Sequence, residues 1–405
     1  MQNSRILRRP RKRRDLLQPY ILSSLSGGTL SILYVALSLK INNLSISYFS
    51  LGIVFFIFLV TYIFSRIPAS IVSFSTYRNL LSPSSFLLLA WALYIFSTAL
   101  TITGILLVSI LIGLSLSVAI VSINSKISED FSSSSIRTSR RNALALGTLS
   151  GPISLLISYF FGNNYSELII LIEYIALILG AIFLIIEIFR FYVRKIRPQQ
   201  DPILVTVNKT LAPLRMLGKI RGKAFFLTTT LIDILFIFAA WSILIYLPYY
   251  SYSLINSTRY SFLIFAGISL AYILFRFSGQ RLHVRIFFIS SYFVRSVVFI
   301  VAFLILSLAK SLVDVFLALL ILSSVGFFEE GAKNYVLTAY DSGDQQIVKR
   351  ASQLLILPFI VLAPLFSYEF FSISFSLGFA SAIIPAAISL LLTTFLISNP
   401  KITRQ

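Results

Sequence analysis

The sequence predicts an all-α polytopic membrane protein, with 12 transmembrane helices arranged as two pseudo-symmetric six-helix bundles. Three observations carry that reading. The chain of 405 residues is 57% hydrophobic and only 12% charged, with mean hydropathy +0.91, more apolar surface than a water-soluble protein of this length can hide. Apolar runs near the ~20 residues that cross a ~30 Å hydrocarbon core recur from end to end. FLLLAWALYIFSTAL (86–100), LIILIEYIALILGAIFLIIEIF (168–189) and SLVDVFLALLILSSVGFF (311–328) are examples. Basic residues, finally, are confined almost entirely to alternate loops.

Helices are expected at 18–40, 46–66, 84–101, 103–123, 142–161, 168–189, 224–248, 260–276, 286–308, 311–334, 351–370 and 373–397. The first apolar run, Tyr20 to Leu39, is too long for the core of a signal peptide and no small-residue cleavage site follows it, so it is read as retained. On this layout the side with both termini holds 30 of the 34 lysines and arginines. The other side keeps Lys40, Arg259 and Lys310, and Arg295 falls inside a helix. The positive-inside rule then places both termini in the cytoplasm of a multi-pass protein of the cytoplasmic cell membrane. The net charge of +20 is thus a topology signal that also meets anionic lipid head groups at the cytoplasmic face. No nucleic-acid partner is expected.

The segment VRKIRPQQDPILVTVNKTLAPLRMLGKIRGK (193–223) separates two six-helix halves. The expected units are a basic tail (1–17), an N-terminal bundle (18–192), a linker (193–222), a C-terminal bundle (223–398) and a short tail (399–405). YIFSRI (62–67) recurs as YILFRF (272–277), 210 residues later, on the second helix of each half. Arg141 and Arg350, 209 residues apart, open the fifth and eleventh helices. Parallel six-helix repeats are one recognised architecture of secondary transporters.

This layout resembles the major facilitator superfamily. In IPASIVSFSTYRNLL (67–81), the lead-in IPA and Arg78 match the family's helix 2–3 motif. Ser70, Phe74, Ser75 and Tyr77 stand where that motif has glycine, aspartate, arginine and a second glycine. SRRNALALGTLSGP (139–152) is similar to the family's arginine-rich start of helix 5 with its spaced glycines. The resemblance implies helices 1, 4, 7 and 10 around a central cavity, with 3, 6, 9 and 12 outside them.

Ionisable side chains inside a bilayer cost ~2.5–3.5 kcal/mol at mid-depth, so deep ones suggest function. Asp233 lies ten residues past Lys223, and Arg295 ten past Arg285, each roughly 15 Å into its helix. By the resemblance Asp233 is a cavity residue and a candidate solute or proton site. Thr230 and Trp241 share its helix face, and Ser31 and Tyr34 lie on one face of helix 1 beyond Gly27 and Gly28. Pairing with Arg295 is the structural alternative for Asp233; Glu173 is a further intramembrane charge. Arg66 and Arg276 sit at the cytoplasmic rim, where they either snorkel to head groups or pair with Glu129, Asp130, Glu329 and Glu330 as a cytoplasmic gate.

No GxxxxGK[ST], HExxH or GxSxG pattern occurs and there is no cysteine, so no enzyme activity, cofactor or metal is expected. The expected function is secondary active transport of a small solute by a monomer, by alternating access, with proton coupling through Asp233. Two alternatives remain: a non-transporting receptor or assembly protein on a decayed transporter fold, and a lipid flippase or scramblase.

Overall fold

The computed structural model describes residues 17–44, 48–73, 79–130, 133–193, 223–281, 288–340 and 342–398. The basic tail, most of the linker and the C-terminal tail lie outside the described residues. Among the described residues every long element is helical. The N-terminal half comprises α1 (Leu17–Asn43), α2 (Tyr48–Phe64), α3 (Arg66–Ser73), α4 (Leu81–Thr98), α5 (Ile102–Asp130), α6 (Ser133–Phe161) and α7 (Tyr165–Val193). The C-terminal half comprises α8 (Lys223–Leu244), α9 (Leu247–Ile255), α10 (Thr258–Arg281), α11 (Phe288–Leu308), α12 (Leu312–Ser323) and α13 (Val325–Thr338). It ends with α14 (Ser342–Phe366), α15 (Tyr368–Ile373), α16 (Phe375–Ser381) and α17 (Ile383–Ser398).

Eleven segments among the described residues are long and apolar enough to cross a bilayer. The longest, Asn142–Phe189, has 48 residues, which as one straight helix would run ~72 Å, over twice the ~30 Å core. It is broken at Gly162, whose φ of +57° favours glycine,. The pieces α6 and α7 have 29 residues each, enough for a crossing apiece.

Several helices outrun their expected bounds. The fourth ends at Asp130 and not at 123, and the fifth begins at Ser133 and not at 142. Others break inside the expected span, and three of those breaks share one cause. Proline has no N–H, so the carbonyl four residues earlier loses its helical donor. Pro68, Pro248 and Pro385 strip Phe64, Leu244 and Ser381, the last residues of α2, α8 and α16. Arg66 therefore opens α3 instead of closing a helix.

The two halves are built alike. In the first, α1 packs on α6, α2 on α5, and α4 on α7. In the second, the counterparts α8 on α14, α10 on α13, and α11 on α17 repeat the pattern. Close approach in the first half relies on small residues, as membrane helix pairs do. A Cβ on Gly27 would collide with the Gly147 carbonyl, and Ser154 Oγ donates to the Gly28 carbonyl at 2.9 Å. The repeated tyrosines occupy matching seams: Tyr62 lies against Gly113 of α5, and Tyr272 against Gly326 of α13.

α1 begins and α17 ends on one side, termed here the termini side. Contacts between the halves cluster toward the opposite, far side. Tyr34 of α1 donates to the Leu244 carbonyl that Pro248 left free. Tyr34 also meets Phe265 edge-on at 5.5 Å. Phe49 meets Tyr368 at 4.8 Å and Tyr165 meets Phe262 at 5.8 Å between ring centroids.

Candidate functional site

The two deepest opposite charges find each other. Arg295 Nη2 lies 3.1 Å from Asp233 Oδ1, joining α11 to α8, with side-chain exposures of 7% and 20%. The guanidinium lies over the Phe236 ring at 3.9 Å and is flanked by Tyr292 at 5.7 Å. Phe236 in turn packs on Phe299 at 5.0 Å. A planar guanidinium suits such stacking, and the rings bury the Arg295 side of the pair. Arg295 Nε is buried and makes no hydrogen bond to a described residue.

A second polar contact lies in the same bundle. Tyr272 of α10 donates to Glu329 Oε2 of α13, and its phenol lies within electrostatic reach of both Arg276 and Arg295. The Asp233–Arg295 pair and the Tyr272–Glu329 bond thus lie in the same C-terminal bundle. Just outside the spans, burial pushes the Tyr340 phenol up to about 12, so it stays neutral where its ring packs near Phe225.

The other expected site residues are placed differently. Thr230 is buried one turn from Asp233. Trp241 is half-buried and packs on the apolar core. Ser31 bonds back to the Gly27 carbonyl at 3.1 Å and fills the α1–α6 seam beside Gly151. Tyr34 serves the far-side closure already described. Ser31 and Tyr34 thus share a helix face but contact neither Asp233 nor Arg295 among the described contacts. Glu173, half-buried on α7, has no hydrogen bond or ion pair to a described residue.

At the rim, Arg66 donates to Tyr62 Oη and stacks on that ring at 4.2 Å, while its Nε is buried without a partner among the described residues. The acids expected to meet it, Glu129 and Asp130, have side chains outside the described residues, as does Glu330. Glu329 is engaged within its own half. Asp314 acts locally, forming a capping box with Ser311 at the start of α12.

A second buried ion pair was missed by sequence reasoning. Lys126 Nζ of α5 lies 3.1 Å from Glu187 Oε1 of α7, at side-chain exposures of 12% and 2%. Lys126 also donates to Gln18 of α1, and Gln18 donates to Ser82 of α4 at 2.8 Å. A fourth helix that stops at 123 leaves Lys126 in a loop, whereas α5 carries it on for two more turns. A glutamate within the apolar run FLIIEIF is the available signal,.

Two like bundles of helices, each holding a buried charge pair, define a secondary-transporter fold. The model of the Major Facilitator Superfamily matches residues 8–340. The chain belongs to that family. Solved transporters share the fold at low identity. The nucleoside transporter NupG matches with TM-score 0.69 at 16% identity, over 95% of this chain and 98% of NupG. A bacterial homologue of the human lysosomal transporter Spinster, inward-facing and unoccupied, matches with TM-score 0.69 at 13% identity, over 96% of each chain. A POT family transporter in complex with a thioalcohol-conjugated peptide matches with TM-score 0.71 at 12% identity, over 96% of this chain and 97% of its own. Among curated protein sequences no relative matches the chain.

Proposed function

We propose that this protein moves a small solute across the cytoplasmic membrane by alternating access, with its termini in the cytoplasm and a proton exchanged at Asp233. The observation that carries this reading is the Asp233–Arg295 pair, held at 3.1 Å among aromatic rings. Protonating Asp233 removes the charge that holds Arg295 in place, so proton uptake loosens α8 from α11. Arg295 is then released toward Tyr272 and Glu329, which gives the midplane event a route to the termini side. The far-side contacts of Tyr34, Phe49 and Tyr165 fit a conformation open toward the cytoplasm. The lysine and arginine bias supports that orientation. A nucleoside transporter and a transporter solved with a conjugated peptide share this fold, so the fold does not select a cargo.

Proteoliposomes loaded with a pH dye and offered a panel of nucleosides and short peptides test the reading. One solute should drive proton movement in the wild type and none in Asp233→Asn. Solute uptake with the same pH dependence in both proteins would remove Asp233 from the mechanism.

A further inference from the structure

A cleft of about 200 Å³ opens on the far side between the ends of α1, α4 and α7. Lys40 forms its base. The ammonium sits over the Phe96 ring, 4.6 Å from the centroid, and donates to the Phe96 carbonyl. That carbonyl lies in the last turn of α4 and lacks a helical donor, so one of the three Lys40 protons is used as a cap. Capping leaves two donors for a cleft whose lining also carries Ser97, Tyr165 and Ser166; Ser97 already donates to the Tyr94 carbonyl at 2.8 Å. None of the lining residues is acidic; Glu167, next to Ser166, is exposed and does not line the cleft. A half-buried ammonium without a counter-ion is costly, and an anion in the cleft would relieve that cost. Its lip is apolar, formed by residues such as Leu100, which is 79% exposed.

We propose that this cleft binds the phosphoryl head group of an anionic phospholipid from the far-side leaflet. Lys40 and the exposed Ser166 hydroxyl hold the phosphate oxygens, and the apolar lip takes the glycerol and first methylenes. The apolar lip favours a lipid over free inorganic phosphate, which would need polar surroundings on every side. Occupancy would tie α1 to α4 and α7 at their far-side ends, where Tyr34 of α1 closes against the second half. The lipid thereby biases the far-side closure. This inference is independent of Asp233.

The test uses the full chain in neutral detergent, with thermal unfolding followed as dihexanoyl phosphatidylglycerol, dihexanoyl phosphatidylcholine or inorganic phosphate is added. The expected result is a saturable upward shift with phosphatidylglycerol and a smaller one with phosphatidylcholine. Lys40→Met should raise the half-saturating phosphatidylglycerol concentration about tenfold or more, the loss of one charge-assisted contact. Lys40→Arg should restore saturation, and Lys310→Met should leave it unchanged. If Lys40→Met does not fold, Ser166→Ala should weaken saturation with Lys40 intact. A wild-type response in Lys40→Met, or in Ser166→Ala, would overturn the site. An equal shift from inorganic phosphate alone would overturn the lipid assignment.

Discussion

The two halves repeat one scaffold and differ in where they keep their charges. Tyr62 and Tyr272 lie 210 residues apart and each packs on a glycine of the helix beside it. The positions 210 residues before Asp233 and Arg295 are Ser23 and Ser85. Both serines are buried and spend their hydroxyls on backbone carbonyls, of Ala143 at 2.6 Å and of Ser115 at 2.9 Å. The first half holds its ion pair elsewhere, between Lys126 and Glu187, tied to α1 and α4 through Gln18 and Ser82. The two halves therefore share their helix seams, where small residues set the spacing. Charges were free to differ, and the difference assigns roles: in our reading the second half carries the moving chemistry, and the first half's pair clamps a rigid bundle.

Breaking each ion pair tests that division most strongly. Removing one partner of a buried pair costs about 3–5 kcal/mol because the other charge is left uncompensated. Arg295→Met should lose about that much stability together with transport. The neutral pair Asp233→Asn/Arg295→Gln should regain stability in thermal unfolding without regaining proton-coupled uptake. Lys126→Met should lose about 3 kcal/mol, and the further change Glu187→Gln should recover most of it. Uptake per folded molecule should stay near wild type in that double variant. Loss of coupling there would erase the proposed division of labour.

Smaller effects sharpen the comparison. Tyr272→Phe removes a hydrogen bond to a carboxylate, worth about 1.5–3 kcal/mol, whereas Tyr62→Phe leaves Arg66 free to reach the interface and should cost below about 1 kcal/mol. Equal losses in the two would mean that the acid on α13 does not distinguish the halves. The glycine seams should respond alike. A Cβ on Gly113 would come within 2.8 Å of the Phe58 carbonyl oxygen, and one on Gly326 within 2.9 Å of the Tyr272 carbonyl oxygen. Alanine at either should cost about 1–3 kcal/mol of overpacking, read from the same unfolding curves.

Much of the fold was legible in the sequence because bilayer physics acts on composition directly. Apolar length and basic loop bias need no tertiary information, and the echo of YIFSRI in YILFRF marked the two halves. Depth along a helix was legible too, so Asp233 and Arg295 stood out. Orientation around the helix was not. Ser31 and Tyr34 share a face, but which neighbour that face meets was decided by Gly147, Gly151 and the carbonyl released by Pro248. Lys126 shows the same limit at a boundary: a lysine near a helix end reads as a loop residue until a buried Glu187 is found opposite it. Helix breaks at Ser65 and Ala382 fall where Pro68 and Pro385 strand a carbonyl four residues earlier, yet Pro152, Pro358 and Pro364 lie inside unbroken helices, so proline alone does not mark a break.

The central claim is that the halves rock against each other, closing one side as the other opens, under the control of Asp233. The chain has no cysteine, so spin labels can be placed without background. Asn142→Cys/Lys349→Cys reports the termini side, and Thr101→Cys/Ser372→Cys the far side; all four positions are exposed. Pulsed electron–electron distance measurements in lipid nanodiscs should show two populations for each pair, shifting in opposite senses between high and low pH, with the shift abolished by Asp233→Asn. A single pH-independent distance on both sides, or an unaltered shift in Asp233→Asn, would contradict the account.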